Sequence, residues 1–594
     1  MGSIVLVVRL VLADVRRHQV QAAMLLLAVT VATATMALGL SLRGVSEALY
    51  EQTRAATAGP DVVALSGDTG PAVTSALAAL ADDPEVVAHH GPYHIVYADL
   101  TARDLTSNVV VHGFAETPGA VNRPLLTSGH WVRSGGTVLE RGFATALGVG
   151  VGDRVTIAGR SYPVIGIAVT AATSIYPGAQ QIGPYGGGSD YSGLAWMTRS
   201  DARTLASSHD LPVTTAVDLK LRDPTSTEAF LTAYHAPTRV NFHSWQFTAV
   251  QDMVILKNSQ PILVVGGWLL SFLAITGVAA LAAGRAVEQT RRAGLLKAVG
   301  ATPGLIATVL LTEYLALALA GDALGLVIAR LAAPAIASPT ASRIGDAAGP
   351  AAATVAAVTV LAVVVAVLST LRPALRALRT ATVTALTATA HQPRRRPWLT
   401  ALSALLPTPL LLGLRLTARR PGRAVLQACS TATMMIAIVA LLTLYAKPER
   451  GYGLDGSSVL PNLRGEHDRR LMLAVAILLI ALAVVNTITF TWTTAMEARA
   501  NMAIARALGA TPGQVSAGLS IAQLLPSLPG AVIGIPLGVG LFSLFAAGNA
   551  VDAPSSWLLG AALATLLATA ALTALPARLA ARQPVAQVLS AETA

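Results

Sequence analysis

Charge is scarce in this chain of 594 residues: Asp, Glu, Lys and Arg make up 12% of it. A soluble protein of this length carries about 25%. Cysteine occurs once, at Cys429, which excludes an intrachain disulfide and a cysteine-based metal site. The sequence holds no G-x-x-x-x-G-K-[ST] phosphate loop, no G-x-S-x-G elbow and no H-E-x-x-H pair. "GGGSD" (Gly186–Asp190) is glycine-rich but lacks the lysine. Nothing points to a hydrolase, and ATP used by this protein must be bound by another chain.

What is abundant is apolar length. Hydrophobic residues make up 53% of the chain, and its mean hydropathy is +0.60. A membrane-spanning helix needs about 20 largely apolar residues. Eight segments qualify: 20–42, 260–284, 305–332, 348–371, 424–446, 471–493, 515–547 and 556–576. The seventh remains long enough despite Pro526, Pro529 and Pro536. The run 401–413 is too short and reads as an interfacial segment. The first span is too long for a signal peptide, whose apolar region covers about 7–15 residues, and reads as a retained anchor.

The net charge of +11 is distributed unevenly. Segment 372–423 carries ten arginines and no acid; loop 285–304 carries Arg285, Arg291, Arg292 and Lys297 against Glu288. Short basic loops face the cytoplasm, so eight spans place both termini inside. The long segment 44–256, with 19 acidic and 12 basic residues, then lies outside. Anionic lipid headgroups account for the basic surface without nucleic acid.

The chain is duplicated. "KAVGATPG" (Lys297–Gly304) returns as "RALGATPG" (Arg506–Gly513), 209 residues later. The same offset brings Glu288 to Glu497, Gly300 to Gly509, Thr302 to Thr511, Pro303 to Pro512, Gly321 to Gly530 and Gly325 to Gly534. Each half reads as basic helix, span, outer segment, three spans and basic tail. The expected fold is an α-helical polytopic membrane protein with about eight spans in two parallel four-helix repeats. The expected division is an N-terminal interfacial helix and first span over 1–43, an outer α/β domain over 44–258, and three spans over 259–390. A basic cytoplasmic linker follows over 391–423, then a fifth span with a short outer loop over 424–470, and the last three spans over 471–594.

Within the outer segment, residues 44–58 continue the first span as a helical stalk. Alternating patterns then predict a split α/β module with a β-rich insertion over about 108–197. "YPGAQQIGPYGGGSDYSG" (Tyr176–Gly193) reads as a flexible loop. The segment has eight histidines, including His89, His90 and His94. His90 and His94 are expected on one strand face. No carboxylate or cysteine supports them, so they read as surface or turn residues and no metal is expected.

Glu313 and Asp322 fall inside the third span, where an ionisable group is a functional candidate. Their counterparts are Ala522 and Ala531, so the repeated scaffold does not need them, and Asp322 is expected near the outer interface. The glycines at 321, 325, 530, 534 and 538 read as sites of close helix approach. In the repeated turn, Gly300 ends a helix, Thr302 is a cap and Pro303 opens the next helix.

These residues resemble the FtsX-like permease domain of MacB-type ABC transporters, which include the lipoprotein-releasing permeases. The resemblance rests on the turns Lys297–Thr302 and Arg506–Thr511, on Glu313, Gly321 and Gly325, and on the closing pattern Pro576, Ala577, Arg578, Ala580, Pro584, Val585 and Leu589. The outer stretch "LLTSGHWVRSGGTVLERGFATALGVGVGDRVTIAG" resembles the family's periplasmic core domain.

The resemblance implies a permease subunit of the plasma membrane with no enzymatic activity of its own. ATP and Mg²⁺ would sit on a separate ABC ATPase of two protomers beneath the cytoplasmic face. Glu288, Arg291, Arg292, Lys297, Gly300, Thr302 and Pro303 in one copy would form the ATPase-coupling elements with Glu497, Arg499, Arg506, Gly509, Thr511 and Pro512 in the other. Beyond membrane lipids and that ATPase, an extracytoplasmic protein or lipoprotein is a candidate partner. The cargo classes implied are lipid, lipoprotein, peptide or drug-like molecule. With two halves in one chain, one copy would replace a permease homodimer. The alternative is a transmembrane regulator of an external cell-wall hydrolase or sensor kinase. Two departures from the family pattern stand out. Arg292 and Asn501 occupy a position that is often acidic, and the second copy lacks the span Glu, with Gln523 one position further on.

Overall fold

The computed structural model describes residues 9, 16, 19–68, 70–176, 193–233, 240–256, 259–298, 303–338, 340–346, 349–379, 407–419, 421–446, 460, 463–497, 499–545 and 553–581. Its first element, α1 (Gln19–Ala56), is one helix of 38 residues. At 1.5 Å per residue it is about 57 Å long, enough to cross a hydrocarbon core of about 30 Å and continue outward. The stalk is therefore the unbroken end of the first span.

The stalk leads into the outer domain. A short apolar run forms β1 (Val62–Ser66), followed by α2 (Pro71–Ala81), β2 (Val86–Ala102) and β3 (Leu105–Phe114). Next come β4 (Leu125–Gly129), β5 (Thr137–Glu140), α3 (Arg141–Leu147), β6 (Arg154–Ile157) and β7 (Arg160–Val169). The domain closes with β8 (Gly193–Thr198), α4 (Arg199–His209), β9 (Val213–Leu221), α5 (Thr227–Ala233), β10 (Asn241–Ser244) and α6 (Trp245–Leu256). All ten strands share one mixed sheet, ordered β10-β1-β9-β2-β3-β8-β5-β7-β4, with β6 pairing β2 and β7. β3–β8 and β5–β7 are parallel; the other pairs are antiparallel. Residues 108–197 thus extend the sheet begun by β1, β2 and β9. Most of the Tyr176–Gly193 loop lies outside the described residues.

Helices fill the rest: α7 (Ser259–Ala298), α8 (Pro303–Ala337), α9 (Ala352–Arg379), α10 (Thr408–Arg419), α11 (Pro421–Ala446), α12 (Leu463–Glu497), α13 (Arg499–Ala507), α14 (Pro512–Phe545) and α15 (Ser555–Ala581). Among the described residues, seven helices are long and apolar enough to cross a membrane. The segment expected as the fourth span, 348–371, is α9, whose apolar described part is the shorter Ala352–Leu368. α12 begins eight residues before the expected span start at 471, so part of the second outer loop is helical. The end of the basic linker is α10, which packs on α14 with Leu412 against Gly518 and Ile521 against Gly413.

The repeat is visible in the packing. A Cβ on Gly325 would lie 2.8 Å from the Thr30 carbonyl oxygen; one on Gly534 would lie 2.9 Å from that of Ala432. Only glycine permits that approach. In lipid, close backbone contact is a main source of helix association. α8 thus sits on α1 as α14 sits on α11.

Candidate coupling sites

The second repeated turn is a tightly specified elbow. α12 ends at Glu497 and the amphipathic helix α13 opens at Arg499. α13 terminates where Gly509 takes φ +99°, a conformation that costs glycine little. There Gly509 N–H donates to Arg506 O (3.0 Å) and Ala510 N–H to Ala505 O (3.0 Å), the paired bonds of a Schellman stop. Two residues later the next helix is capped reciprocally. Gln514 N–H donates to Thr511 Oγ1 (3.2 Å), and Thr511 N–H donates to Gln514 Oε1 (3.0 Å). Pro512 is the first residue of α14. Behind the elbow, Ala495, Ala503, Val515 and Leu519 are buried, with Leu416 of α10 packed against Val515 and its neighbours. In front, Ile504 and Leu508, one turn apart, are exposed, Leu508 to 85%.

In the first copy, Glu288, Arg291, Arg292 and Lys297 all lie in the last turns of α7, and Pro303 opens α8. Gly300 and Thr302 lie outside the described residues. The position matching Gln514 is Leu305, so this elbow lacks the residue for a reciprocal cap.

Glu313 and Asp322 are both buried in α8. Asp322 lies in the middle of α8, which runs on for 15 residues to Ala337. Its Oδ2 accepts from the Thr359 hydroxyl at 2.8 Å, which joins α8 to α9.

The outer end of α8 carries a joint without a sequence signature. Arg343, in the loop beyond α8, is 7% exposed. Its Nε donates to Asp252 Oδ2 of α6 at 2.8 Å, and its Nη2 donates to the same oxygen. Its remaining N–H groups donate to the Thr170 and Thr173 carbonyls, the latter at 3.1 Å. The guanidinium lies 5.1 Å from the centre of the Tyr50 ring. Tyr50, on the stalk, donates to the Trp245 carbonyl at 3.1 Å. Beside it, Ile344 N–H donates to Thr53 Oγ1 (2.9 Å) and Gln52 Nε2 donates to Asp346 O (2.6 Å). One loop therefore fastens the stalk, α6 and strip 170–173 to the end of a membrane helix. A buried ion pair of this kind contributes little net stability but holds one geometry, since losing one partner strands the other.

The second half also reaches the outer domain. Leu460 is buried in the cluster that contains Val96, Phe143 and Met197, and Leu463 packs against it.

His90 and His94 do not share a face. β2 carries one extra residue relative to β9 between His90 and Tyr93, a bulge that inverts the alternation. His90 Nδ1 meets Asp218 Oδ2 at 3.1 Å, beside Asn122 Nδ2 donating to the same oxygen (2.8 Å) and Tyr93 O–H donating to Oδ1 (3.2 Å). His94 points to the other side, where burial and then Arg203 and Arg199 lower its pKa. His112, fully enclosed near Asp218, is pushed down to about 4, chiefly by burial. Among the described residues, no group of three or more His, Cys, Asp or Glu is arranged to hold a metal. Tyr93, His112, Asp218, His243 and Phe247 help line a cavity of about 50 Å³ between the sheet and α6.

Residues 264–382 and 473–585 each match the FtsX-like permease C-terminal family, and residues 22–234 match the MacB-like periplasmic core domain. No curated protein matched the chain. Among solved structures, the periplasmic region of MacB from Actinobacillus actinomycetemcomitans aligns at 13% identity and TM-score 0.21, covering 33% of this chain and 92% of that one. The extracellular domain of the noncanonic ABC-type transporter YknZ from Gram-positive bacteria aligns at 10% identity and TM-score 0.20, covering 31% of this chain and all of that one.

Proposed function

The chain belongs to the FtsX-like permeases that carry a MacB-like periplasmic core domain, and from that membership we propose that a separate ABC ATPase drives its outer domain mechanically. ATP and Mg²⁺ are bound and hydrolysed on two ATPase protomers beneath the cytoplasmic face. Both termini and both elbows lie on that side, as the arginine-rich loops favour. Closure of the ATPase displaces the elbows. The cargo exported or extracted is a lipid, lipoprotein, peptide or drug-like molecule.

The observation that carries this reading is continuity. α8 is one helix from Pro303, at the first elbow, to Ala337, next to the loop of Arg343. α12 is one helix from Leu463, packed against the outer-domain core, to Glu497, at the second elbow. Each elbow is thus joined to the single outer domain by a helix of 35 residues, about 52 Å long. The exposed Ile504 and Leu508 offer an apolar contact for the ATPase, flanked by the cationic residues of the turn.

Co-purification with the ATPase, then identification of the bound molecule, tests the partner and the cargo. Charge reversal at Arg291 and Lys297, or at Arg499 and Arg506, is expected to lower permease-stimulated ATP hydrolysis while membrane insertion stays normal. Unchanged stimulation in both sets would remove the coupling role. A bound wall hydrolase or sensor kinase in place of a small cargo would turn the reading to regulation.

A further inference from the structure

The two halves meet along α7 and α12, and the residues that touch there are counterparts of each other. Ser259 Oγ donates to Asp468 Oδ1; the two positions are 209 apart, the offset of the repeated turns. A Cβ on Gly266 would lie 3.3 Å from Cγ2 of Val475, its own counterpart. A Cβ on Gly277 would lie 2.8 Å from Cγ of Asn486, again its counterpart, and Asn486 Nδ2 donates to the Leu273 carbonyl at 3.0 Å. Between these contacts Leu270, Leu273 and Ala274 are buried in one cluster with their counterparts at the same offset, Leu479, Leu482 and Ala483. A seam where each position meets its counterpart is the mark of a two-fold interface. Here the two sides belong to one chain.

The seam is not symmetric in size. At 259, 266 and 277 the first half has Ser, Gly and Gly; at 468, 475 and 486 the second has Asp, Val and Asn. At these three levels the contact sets a small residue against a larger one. If α7 met α7 of a second copy, glycine would face glycine at two levels and leave gaps, with no side chain to bond the Leu273 carbonyl. If α12 met α12, Asp468 would face Asp468, and Val475 and Asn486 would collide with their own copies. We propose that this size complementarity makes each half the obligatory partner of the other and excludes a second copy from the seam. Specificity then comes from the disfavoured pairings as well as the favoured one. One chain then completes this seam by itself. The inference rests on the seam alone and does not depend on cargo or on the elbows.

The test is a cysteine series in a Cys429→Ser background, read in native membranes. The built Cβ of position 266 lies 3.5 Å from Val475 Cβ, inside the disulfide range of about 3.5–4.5 Å. Gly266→Cys with Val475→Cys should oxidise within one chain, losing both thiols without doubling the mass. Gly266→Cys alone should give no covalent dimer. A disulfide dimer of the single variant, at a yield matching the intrachain bond of the double one, would overturn the proposal. A swap adds a second reading that does not rely on oxidation. Gly277→Asn and Asn486→Gly, made singly, should each lower the melting temperature of the purified protein. Combined, they restore a small residue opposite a large one and should recover most of the loss. Losses that simply add in the double variant would contradict the complementarity.

Discussion

Replacing Arg343 with alanine removes the centre of the outer joint and leaves its partners in place. Asp252 keeps its bond from the Ile175 N–H (3.1 Å), but Oδ2 loses the guanidinium. The Thr170 and Thr173 carbonyls lose donors at the same time. Removing one partner of a buried ion pair costs about 3–5 kcal/mol. The lower end suits this site, because one carboxylate oxygen remains bonded. At about 1.4 kcal/mol per factor of ten, 3 kcal/mol is a change of roughly 150-fold in the opening equilibrium of the joint. Hydrogen exchange of the full chain in lipid nanodiscs measures that equilibrium. Protection of the Ile344 N–H, bonded to Thr53, and of the Ile175 N–H, bonded to Asp252, should fall by about two orders of magnitude. Protection of the second elbow, at Gly509 and Ala510, should be unchanged. Arg343→Lys keeps the charge without the planar fork and should fall between the two. A loss of protection below about threefold at the joint would refute the assignment of Arg343 as its clamp.

Further outcomes follow from the same geometry. His112 has a folded pKa near 4 against about 6.5 unfolded, so the native state binds fewer protons between those values. Its contribution is therefore complete above pH 6.5 and is lost as pH falls through 4, on the order of 3 kcal/mol. Acid melting curves should show the loss, and His112→Gln should flatten it. Thr511→Ala removes the reciprocal cap of the second elbow and should cost about 1 kcal/mol locally, read as faster exchange at Gln514. Gly534→Leu should separate α14 from α11 and reduce the yield of folded protein in membranes, whereas Gly540→Leu, where a Cβ meets nothing within 4 Å, should not.

Much of the architecture is written locally. Spans follow from runs of apolar residues, and the capped elbow follows from the order Gly, Thr, Pro. The structure returns Gly509, Thr511 and Pro512 to the positions those residue types suit. The outer joint could not be read this way. Arg343 and Asp252 are 91 residues apart and neither sits in a pattern. The opposite facing of His90 and His94 is hidden in the sequence for a related reason: a single inserted residue in β2 inverts the alternation, and nothing in the residue types marks it. The seam was legible in principle, because the offset that aligns Gly300 with Gly509 also aligns Ser259 with Asp468. Only the fold shows that those aligned positions touch.

The central claim is that ATP binding below the membrane moves the outer domain through these helices. It is tested most directly by pulsed EPR on the assembled complex in a Cys429→Ser background. Nitroxides at exposed Glu116 of the outer domain and at Ser555 at the start of α15 report the displacement. Trapping the ATPase with ATP should shift the distance distribution, and Arg343→Ala should diminish the shift while ATP binding persists. An unchanged distribution in the parent complex on ATP trapping would contradict the account.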